Sequence, residues 1–407
     1  MDIGGGAATA CLRLLSTMQQ QGHNCSYLVA EKILKKKFVF SAYNNPSVYK
    51  LKIALERYFL KFKESSIKHR FQFSIPKWGA NLSQHKAIQQ ADIIHIHWPH
   101  RSFINLKELE KIGALGKPIV WTLHDMWAMT GGCHYTADCL NYLKQCGHCY
   151  MLKKPGKSDL SNQWWNKKKA TFNKVDIQFV TCSQWLCNEA LQSGLLANQK
   201  VKAIPNPINV DLFKPIEKQE ALNTFSLKHD KKYLLFLAAS ADDNRKGFKY
   251  LKKALIDIET KNYLKNLELL IVGNASTSLF DDISTPIHYL GHISDWQKII
   301  KAYNAADVFI IPSLQDNLPN SIMEALACGT PVVGFNTGGI PEMVEHKKTG
   351  YIAEYKNTTD LAKGINWVLQ NPEYDVLCKN ARQKVLNHYS MPVIAQKFEA
   401  LYQALLA

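Results

Sequence analysis

Short apolar runs recur along the whole chain, and segments with apolar residues at helical spacing separate many of them. Such a run is typical of a parallel strand that is buried on both faces, and the spacing between runs indicates amphipathic helices. The alternation therefore predicts an α/β fold built on parallel sheets. The predicted strands are Cys25–Val29, Asp92–His97, Pro118–Leu123, Ile177–Thr181, Val201–Pro207, Tyr233–Ser240, Leu267–Gly273, His288–Gly291, Asp307–Ile311 and Pro331–Phe335.

These strands fall into two groups, which predicts two domains. A length of 407 residues fits two to three domains of ordinary size, and 46% hydrophobic residues are enough for full cores. Residues 212–231 are rich in lysine and polar groups and are predicted to be the linker. We expect an N-terminal domain over residues 1–210, a second domain over 228–390 and a C-terminal helix over 391–407.

The chain starts with a glycine-rich loop. Gly4-Gly5-Gly6 and the Ala-rich segment up to His23 are typical of the first loop and helix of a Rossmann-like domain. Such a loop should follow a strand, but only Met1–Ile3 precede it. We therefore expect either a misassigned start or a domain that lacks its first strand, which would leave ladder groups of the neighbouring strands unpaired.

Lysine and arginine give the chain a net charge of +16, and much of the excess lies in the first half. No helix-turn-helix, zinc-finger or RNA-platform pattern accompanies this charge, so nucleic acid is not an expected partner. In Val48–Lys68, the apolar residues Leu51, Leu55, Phe59 and Phe62 recur at helical spacing, with basic residues mostly around the other faces. The pattern favours a helix held against an anionic membrane surface. The alternative is a solvated helix that packs on its own domain.

The sequence contains no apolar window long enough for a membrane span, and no signal peptide opens it. Ten cysteines without a signal peptide fit a reducing compartment. We therefore expect a cytoplasmic protein that associates peripherally, if at all, with the inner face of the cell membrane.

The most informative stretch is Pro312–Val344. It predicts a loop rich in Asp, Asn and Pro after a strand, and then a helix that Asn320 or Ser321 can cap. The N–H groups and dipole of such a helix can hold a diphosphate. Asp316 and Glu324 flank the loop and suit a polyol ligand, because carboxylate oxygens accept from vicinal hydroxyls. Judged by its spacing alone, this stretch would equally fit any doubly wound α/β core with a capped helix.

The residues of this stretch strongly resemble the donor-binding signature of the retaining glycosyltransferase family four. The resemblance implies the GT-B fold, in which two Rossmann-like doubly wound domains face a cleft and the C-terminal helix crosses back. It also implies that the first acid contacts the donor sugar and the second the nucleotide ribose. Asp316 stands where the family usually has Glu, which leaves the donor sugar open. The matching residues are Asp316, Glu324, Ala325, Gly329, Pro331–Val333, Gly338-Gly339 and Glu342.

Further site residues are predicted outside this stretch. Arg245 and Lys246 precede a helix and can clamp a diphosphate, although an exposed charged turn is the alternative. The family has an Arg five residues before its Lys-Gly, where this chain has Ala241, so only Lys246 matches directly. If both cations neutralise the phosphates, no catalytic divalent metal is required. The candidate catalytic residues are His124, Arg245, Lys246 and Asp316, and the candidate donor-binding residues are Gly5, Gly6, Asn244, His292, Ile293, Asn317, Leu318, Pro319, Asn320, Ser321 and Glu324.

His124 is a candidate because it follows the strand Pro118–Leu123, where retaining members of the family commonly have a His near the reacting sugar. A lone histidine is more often structural. His292 and Ile293 are candidates by resemblance alone, since family members hold the nucleotide base at this position.

Four cysteines lie close together in a Gly/Asn/Lys-rich loop: Cys133, Cys139, Cys146 and Cys149. Their spacing, which ends in C-x-x-C, predicts a structural zinc site, with His134 and His148 as alternative ligands. The other interpretations are free thiols or two disulfides, and a reducing compartment disfavours the disulfides.

Together these features predict a retaining glycosyltransferase. By resemblance to members that build surface polysaccharides, it would move a sugar from a nucleotide-diphosphate sugar to a saccharide or lipid-linked saccharide. One alternative is a nucleotide-sugar epimerase of the same fold, which would need no acceptor. A second is a non-catalytic protein that binds sugar nucleotides, which would show neither transfer nor donor hydrolysis.

Overall fold

The computed structural model describes residues 5–70, 72–261 and 266–407, and these form two compact units. The first unit comprises the chain up to Pro205 together with Ala395–Ala407, and the second comprises Asn206–Ile394. The boundary lies a few residues before the predicted one at 210. The predicted linker 212–231 is wrong as a linker, because it belongs to the second unit and contains a helix, Lys218–Thr224.

The first unit contains six strands and six α-helices within the described residues. The main sheet is parallel with the order β3-β4-β5-β6, and β1 and β2 form a separate parallel pair. The expectation of a missing first strand before the glycine loop concerns Met1–Ile3, and these residues lie outside the described ranges. The elements are α1 (Gly6–Gln20), β1 (Tyr27–Val29), β2 (Val39–Ser41), α2 (Pro46–Lys61), α3 (Lys86–Gln89), β3 (Ile94–His97), α4 (Leu106–Gly113), β4 (Ile119–Leu123), α5 (Leu160–Phe172), β5 (Gln178–Thr181), α6 (Gln184–Gln192) and β6 (Lys200–Ala203).

The second unit is one parallel sheet covered by helices. Its strand order is β12-β11-β10-β7-β8-β9, so the chain starts in the middle, builds to one edge and then returns to build to the other. The elements are α7 (Lys218–Thr224), β7 (Lys232–Ser240), α8 (Phe248–Thr260), β8 (Leu267–Asn274), β9 (Ile287–Gly291), α9 (Trp296–Ala305), β10 (Val308–Ile311), α10 (Asn320–Ala327), β11 (Val332–Phe335), α11 (Ile340–Met343), β12 (Gly350–Ala353), α12 (Thr358–Leu369), α13 (Tyr374–His388) and α14 (Met391–Leu406).

The direction of building reverses between β7 and β10, which are neighbours in the sheet. In open α/β sheets, ligands bind at the carboxyl ends of the strands next to such a reversal. The loops after β7 and β10 carry most of the predicted donor-site residues. The strand order therefore brings together two segments that are about 70 residues apart in sequence.

Helix α14 begins in the second unit and continues, from Ala395, in the first. Within the first unit its side chains reach β3. The Tyr402 hydroxyl lies 2.7 Å from Nδ1 of His95, and the rings of Phe398 and His95 are 5.5 Å apart.

Helix α2 ends at Lys61, so the amphipathic segment predicted to extend to Lys68 is shorter, and the side chain of Lys68 lies outside the described residues. Phe59 is half-buried and packs against Trp78 rather than facing outward. Among the helices of the described ranges, none combines the length and hydrophobicity that crossing a membrane requires.

Two close contacts hold the loops after β7 and β10 together. Gly247 has a φ of +71°, and a Cβ at this position would collide with the backbone oxygen of Pro312. Beside it, Leu314 N–H donates to the Arg245 oxygen at 2.8 Å. A glycine is therefore required where the basic turn meets the loop that carries Asp316.

We expect Gly247→Ala to lower the free energy of unfolding by about 2–4 kcal/mol, since it adds both backbone strain and a collision. The matched control is Gly116→Ala, because Gly116 has a φ of +70° but open space around its Cβ position. That variant should lose only the strain, about 1–2 kcal/mol. Equal losses in denaturant melts of the two variants would contradict the close approach.

Candidate active site

An ion pair lies at the strand reversal of the second unit. Nζ of Lys246 is 2.7 Å from Oδ2 of Asp316, and Nη1 of Arg245 is 3.6 Å from the same oxygen. Arg245 also donates to the backbone oxygen of Gln315 at 3.0 Å. The structure thus brings together three of the four residues that were predicted to be catalytic.

Asp316 is buried, with 8% of its surface exposed. Burial alone would raise the pKa of its carboxyl, but Lys246 and Arg245 outweigh that effect and hold the pKa below its ordinary value. The carboxylate is therefore ionised at neutral pH, and two cations stand beside it in a partly dry environment. Such cations are well placed to receive a second anion.

The backbone of the Asp316 loop is held by the turn after β11. Gly339 N–H donates to the Asp316 oxygen at 3.2 Å, and the Thr337 hydroxyl donates to the Leu314 oxygen at 3.2 Å. Gly338 has a φ of +56°, and a Cβ there would collide with the Asp316 oxygen. The glycine pair of the sequence signature is therefore required by a close approach of two backbones.

Helix α10 starts directly after this loop. The predicted cap at Asn320 or Ser321 is wrong, because Pro319 occupies the N-cap position and Asn320 is the first helical residue. Pro319 has no side-chain acceptor to cap the helix with, so the first turn depends on other partners, and an anion at this end would supply one. Asn317 and Leu318 are buried in the same loop.

Glu324 lies one turn inside α10 and is buried, with 6% of its surface exposed. Its Oε2 accepts a 2.9 Å hydrogen bond from the hydroxyl of Tyr303 on α9. Sequence reasoning missed Tyr303, since a buried tyrosine on an amphipathic helix gives no signal of its own. The bond orients the carboxylate, whose oxygens are acceptors of the kind that a ribose hydroxyl needs.

The remaining predicted donor residues of this unit are more dispersed. Asn244 begins the 3₁₀ turn that carries Arg245 and Lys246, and Asp243 caps this turn through a 2.9 Å bond from Arg245 N–H. His292 is exposed and Ile293 half-buried, both in the loop after the edge strand β9. They are thus two strands away from β7, at the distance that a nucleotide rather than a single phosphate would span.

In the first unit, His124 follows β4 as predicted. Its Nε2 lies 3.0 Å from Nδ1 of His97, which ends β3, and its Nδ1 lies 3.6 Å from Sγ of Cys182 after β5. Burial lowers the pKa of His124 to about 4 and holds that of His97 well below its usual value. Both imidazoles are therefore neutral at pH 7 and can offer a hydrogen bond without a charge.

Gly5 and Gly6 line a cavity of about 450 Å³ in the first unit. His97 and Trp98 form part of the same wall, so the glycine loop and the histidine pair meet at one space. Gly5 has a φ of +83° and precedes the first residue of α1. This is the position predicted from the glycine run.

A second buried group in the first unit was not predicted from the sequence. Oδ2 of Asp125 accepts from Nδ1 of His134 at 2.7 Å and from Nε1 of Trp98 at 3.3 Å, and Nε2 of His100 lies 3.8 Å away. In the described ranges, His100, Asp125 and His134 are the one group of three whose ligand atoms lie within 4.8 Å of one another, as a metal site would need. Asp125 and Trp98 each follow a strand, which could have drawn attention to them.

The cysteine loop carries four thiols, none of them in a disulfide. Burial raises the pKa of Cys146 to about 12 and that of Cys149 to about 11. Within the described residues no three of the four sulfurs come within 4.8 Å of one another, so a metal ion would have to draw them together. His148, one alternative ligand, is exposed, and His134 is bonded to Asp125 and Ser74.

Lys168, on α5, is buried and donates hydrogen bonds to the backbone just before the cysteine loop. Its Nζ donates to the backbone oxygens of Trp127 and Thr130 at 2.6 and 3.0 Å. Burial lowers the pKa of this lysine to about 7. Of the three consecutive lysines Lys167–Lys169, the outer two are exposed, and Lys168 is a buried structural residue.

The chain is similar in sequence to proteins that are named as glycosyltransferases. It is 30% identical to the N,N'-diacetylbacillosaminyl-diphospho-undecaprenol alpha-1,3-N-acetylgalactosaminyltransferase of Campylobacter jejuni, over 48% of this chain and 52% of that protein. It is 26% identical to the putative colanic acid biosynthesis glycosyl transferase WcaC of Escherichia coli, over 62% of each chain. The chain thus spans roughly half to three fifths of the length of these relatives.

Solved structures with the same architecture cover nearly the whole chain. Sucrose-phosphate synthase from Thermosynechococcus elongatus matches 99% of this chain and 94% of its own, with a TM-score of 0.67 and 18% identity. HepE of Anabaena in complex with UDP-glucose matches 99% of this chain and 97% of its own, with a TM-score of 0.64 and 17% identity. At 17–18% identity, the likeness to these two structures shows the fold alone, and that fold is GT-B.

Two family models match the sequence. One, described as "Glycosyl transferases group 1", matches residues 231–371, which contain the ion pair and both carboxylates. The other, described as "Glycosyltransferase Family 4", matches residues 4–212, just over half of the chain. These matches agree with the two Rossmann-like units and with the ion pair at the strand reversal. The chain belongs to glycosyltransferase family 4.

Proposed function

We propose that this protein transfers a sugar, with retention of anomeric configuration, from a nucleotide-diphosphate sugar to a saccharide or lipid-linked saccharide in surface polysaccharide synthesis. The observation that carries the proposal is the pairing of Lys246 and Arg245 with Asp316 at the strand reversal. Two cations and one buried carboxylate therefore lie at one point. A nucleotide-diphosphate sugar has the complementary groups in the same order.

The proposed reaction breaks the bond between the anomeric carbon and the diphosphate oxygen. Negative charge then develops on the diphosphate, and Lys246 and Arg245 are placed to stabilise it. The acceptor oxygen forms the new bond on the same face of the sugar, and the departing diphosphate can accept its proton. Because fixed cations and the first turn of α10 neutralise the charge, the proposal needs no catalytic metal ion.

Asp316 would accept hydrogen bonds from the donor sugar, and Glu324 from the nucleotide ribose. His124 and His97 are both neutral, so neither would repel a developing oxocarbenium ion. His124, whose two ring nitrogens face His97 and Cys182, would hold the His97 ring in place, and His97 would offer the hydrogen bond to the sugar. The Anabaena neighbour was solved with UDP-glucose, which makes uridine nucleotides the first donors to test. The Campylobacter relative is named for a diphospho-undecaprenol acceptor, which supports a lipid-linked acceptor here.

We also propose peripheral attachment to an anionic membrane through α2. Five apolar side chains, the α2 stripe, repeat every three or four residues and face solvent: Val48, Leu51, Leu55, Tyr58 and Phe62, with 41%, 59%, 46%, 65% and 57% of their surface exposed. Lys50, Lys61 and Lys63 are exposed around the stripe. Lys52 is not part of the charged rim, because its Nζ donates to the Gly79 oxygen at 2.6 Å.

The donor site is tested with Asp316→Ala and Glu324→Ala. We expect Asp316→Ala to remove most transfer and Glu324→Ala to weaken nucleotide binding, each by about 1.5–3 kcal/mol for a lost charged hydrogen bond. A thermal-shift screen of nucleotide sugars identifies the donor first, and initial rates with and without acceptor then measure transfer and hydrolysis. Turnover near normal in both variants would contradict the assignment.

The two alternatives give different results in the same experiments. An epimerase would convert the donor without acceptor, and a binding protein would neither transfer nor hydrolyse it. The double variant Lys246→Met/Asp316→Asn is the control for the ion pair, since it removes both charges together. Its reference is Asp316→Asn alone. If Lys246 only neutralised Asp316, the double variant would be as active as Asp316→Asn; if Lys246 stabilises the leaving diphosphate, the double variant would be less active.

We propose a structural zinc ion in the loop that carries Cys133, Cys139, Cys146 and Cys149. Freshly reduced protein should contain about one zinc per chain by elemental analysis. Cys146→Ser should lose the metal and melt at a lower temperature while donor binding stays unchanged. His100→Ala is the control: if that variant loses the metal and Cys146→Ser keeps it, the ion belongs to the His100, Asp125 and His134 group instead.

Membrane attachment is tested by co-sedimentation with vesicles that contain phosphatidylglycerol. We expect binding at low salt, release at high salt, and loss of binding in Leu51→Ser/Leu55→Ser and in Lys50→Glu/Lys61→Glu/Lys63→Glu, since each lysine near the surface contributes about 1 kcal/mol. The matched control, Lys107→Glu/Lys144→Glu/Lys202→Glu, changes the net charge equally away from α2 and should still bind. Equal loss in both triple variants would show that only net charge matters.

A further inference from the structure

A second cavity in the first unit, of about 370 Å³, adjoins helix α2. Its lining includes Tyr58 and Lys61 of α2 together with Trp98, Arg101 and His134. Tyr58 also belongs to the exposed α2 stripe. The cavity therefore lies next to the surface that we propose to face the membrane.

Basic side chains outnumber acidic ones in this cavity. Arg57, Lys61, Arg70 and Arg101 line it, against Glu56 and Glu64. Burial raises the pKa of both glutamates. Oε2 of Glu64 lies 3.9 Å from Nε of Arg70, and Glu56 accepts a 2.9 Å hydrogen bond from the Ser102 hydroxyl. Burial and the neighbouring charge of Arg57 lower the pKa of Arg101, so an anion beside these two guanidinium groups would be stabilised.

The backbone beneath the cavity is strained. Trp98, Arg101 and Ser102 have φ values of 41°, 53° and 58°, in the left-handed region that side chains rarely adopt. Three such residues within five cost free energy that the surrounding structure must supply, and strain of this kind concentrates at binding sites. Two of these residues, Trp98 and Arg101, line both this cavity and the one beside Gly5 and His97.

His134, a polar side chain of fixed orientation, also lines the cavity. Nδ1 of His134 donates to the buried Asp125 carboxylate at 2.7 Å, and its Nε2 faces the hydroxyl of Ser74 at 3.0 Å. Both ring nitrogens of His134 are thus engaged, so its ring is a fixed part of the cavity lining. The space therefore offers basic side chains from α2 and from the loop after β3 beside a rigid polar and aromatic lining.

We propose that this cavity binds the phosphate or diphosphate group of a lipid-linked acceptor, with Arg57, Arg70 and Arg101 on the anion and Trp98 against the first sugar. The sugar would extend past Trp98 toward His97, whose partner is His124. The inference rests on the proposed glycosyl transfer and names the substrate class of its acceptor side. The lipid chain would leave along the α2 stripe.

The test uses the full-length chain and measures binding of farnesyl diphosphate by calorimetry. Farnesol tests the chain without the anion, inorganic diphosphate tests the anion without the chain, and dihexanoylphosphatidylglycerol tests a phospholipid headgroup. We expect farnesyl diphosphate to bind most tightly, and Arg70→Gln and Arg101→Gln each to weaken it at least about tenfold. Lys107→Gln is the control for an exposed charge and should change nothing.

Two further measurements keep the outcomes distinct. Arg101→Lys retains the charge and should bind better than Arg101→Gln, and melting curves show whether each variant is folded. Binding of the screened nucleotide, which depends on the second unit, should be unchanged in all arginine variants. If no nucleotide sugar binds or reacts, the proposed function fails. If the nucleotide binds but farnesol matches farnesyl diphosphate, phosphatidylglycerol exceeds it, or the arginine variants bind normally, this inference alone is overturned.

Discussion

The strand reversal of the second unit is organised around one buried charge, the Asp316 carboxylate, and the two cations beside it. Burial would raise the pKa of this carboxyl if Lys246 and Arg245 were absent, and Lys246 would lose its 2.7 Å partner if the carboxylate were absent. The strand order makes the pairing possible, because β7 and β10 are neighbours although they lie far apart in sequence. The close backbone contacts at Gly247 and Gly338 then lock both loops at the distance that the ion pair requires.

Much of this arrangement could be predicted from the sequence. The apolar runs predicted nine of the ten strands of the two main sheets to within a few residues, because strands buried on both faces leave a continuous hydrophobic signal; the edge strand β12 was missed. The proximity of Asp316 and Lys246 was expected because their motifs combine a loop, a helix start and a charge at fixed spacing, and the structure brings them together. The predicted fold, two Rossmann-like domains of the GT-B class, is confirmed by the likeness to solved structures.

Other features could not be predicted, for physical reasons. The cap at Asn320 was wrong because Pro319 fits the N-cap conformation and shifts the helix start by one residue. Phe59 was predicted to belong to the apolar stripe of α2 by spacing alone, but it packs against Trp78, a tertiary partner that periodicity does not reveal. Tyr303 gave no local signal, since its contact with Glu324 exists only once the fold brings α9 and α10 together.

The division of helix α14 bears on how the chain is synthesised. Residues 206–394 form the second unit without interruption, so that unit can fold as soon as it has left the ribosome. The first unit includes residues from Ala395 onward, whose Phe398 and Tyr402 pack against His95. Within the described ranges, the main core of the first unit contains no residue of α14, so it can form early, but the cover over His95 is added only after the entire second unit has been translated. The first unit is thus completed last, although its chain is made first.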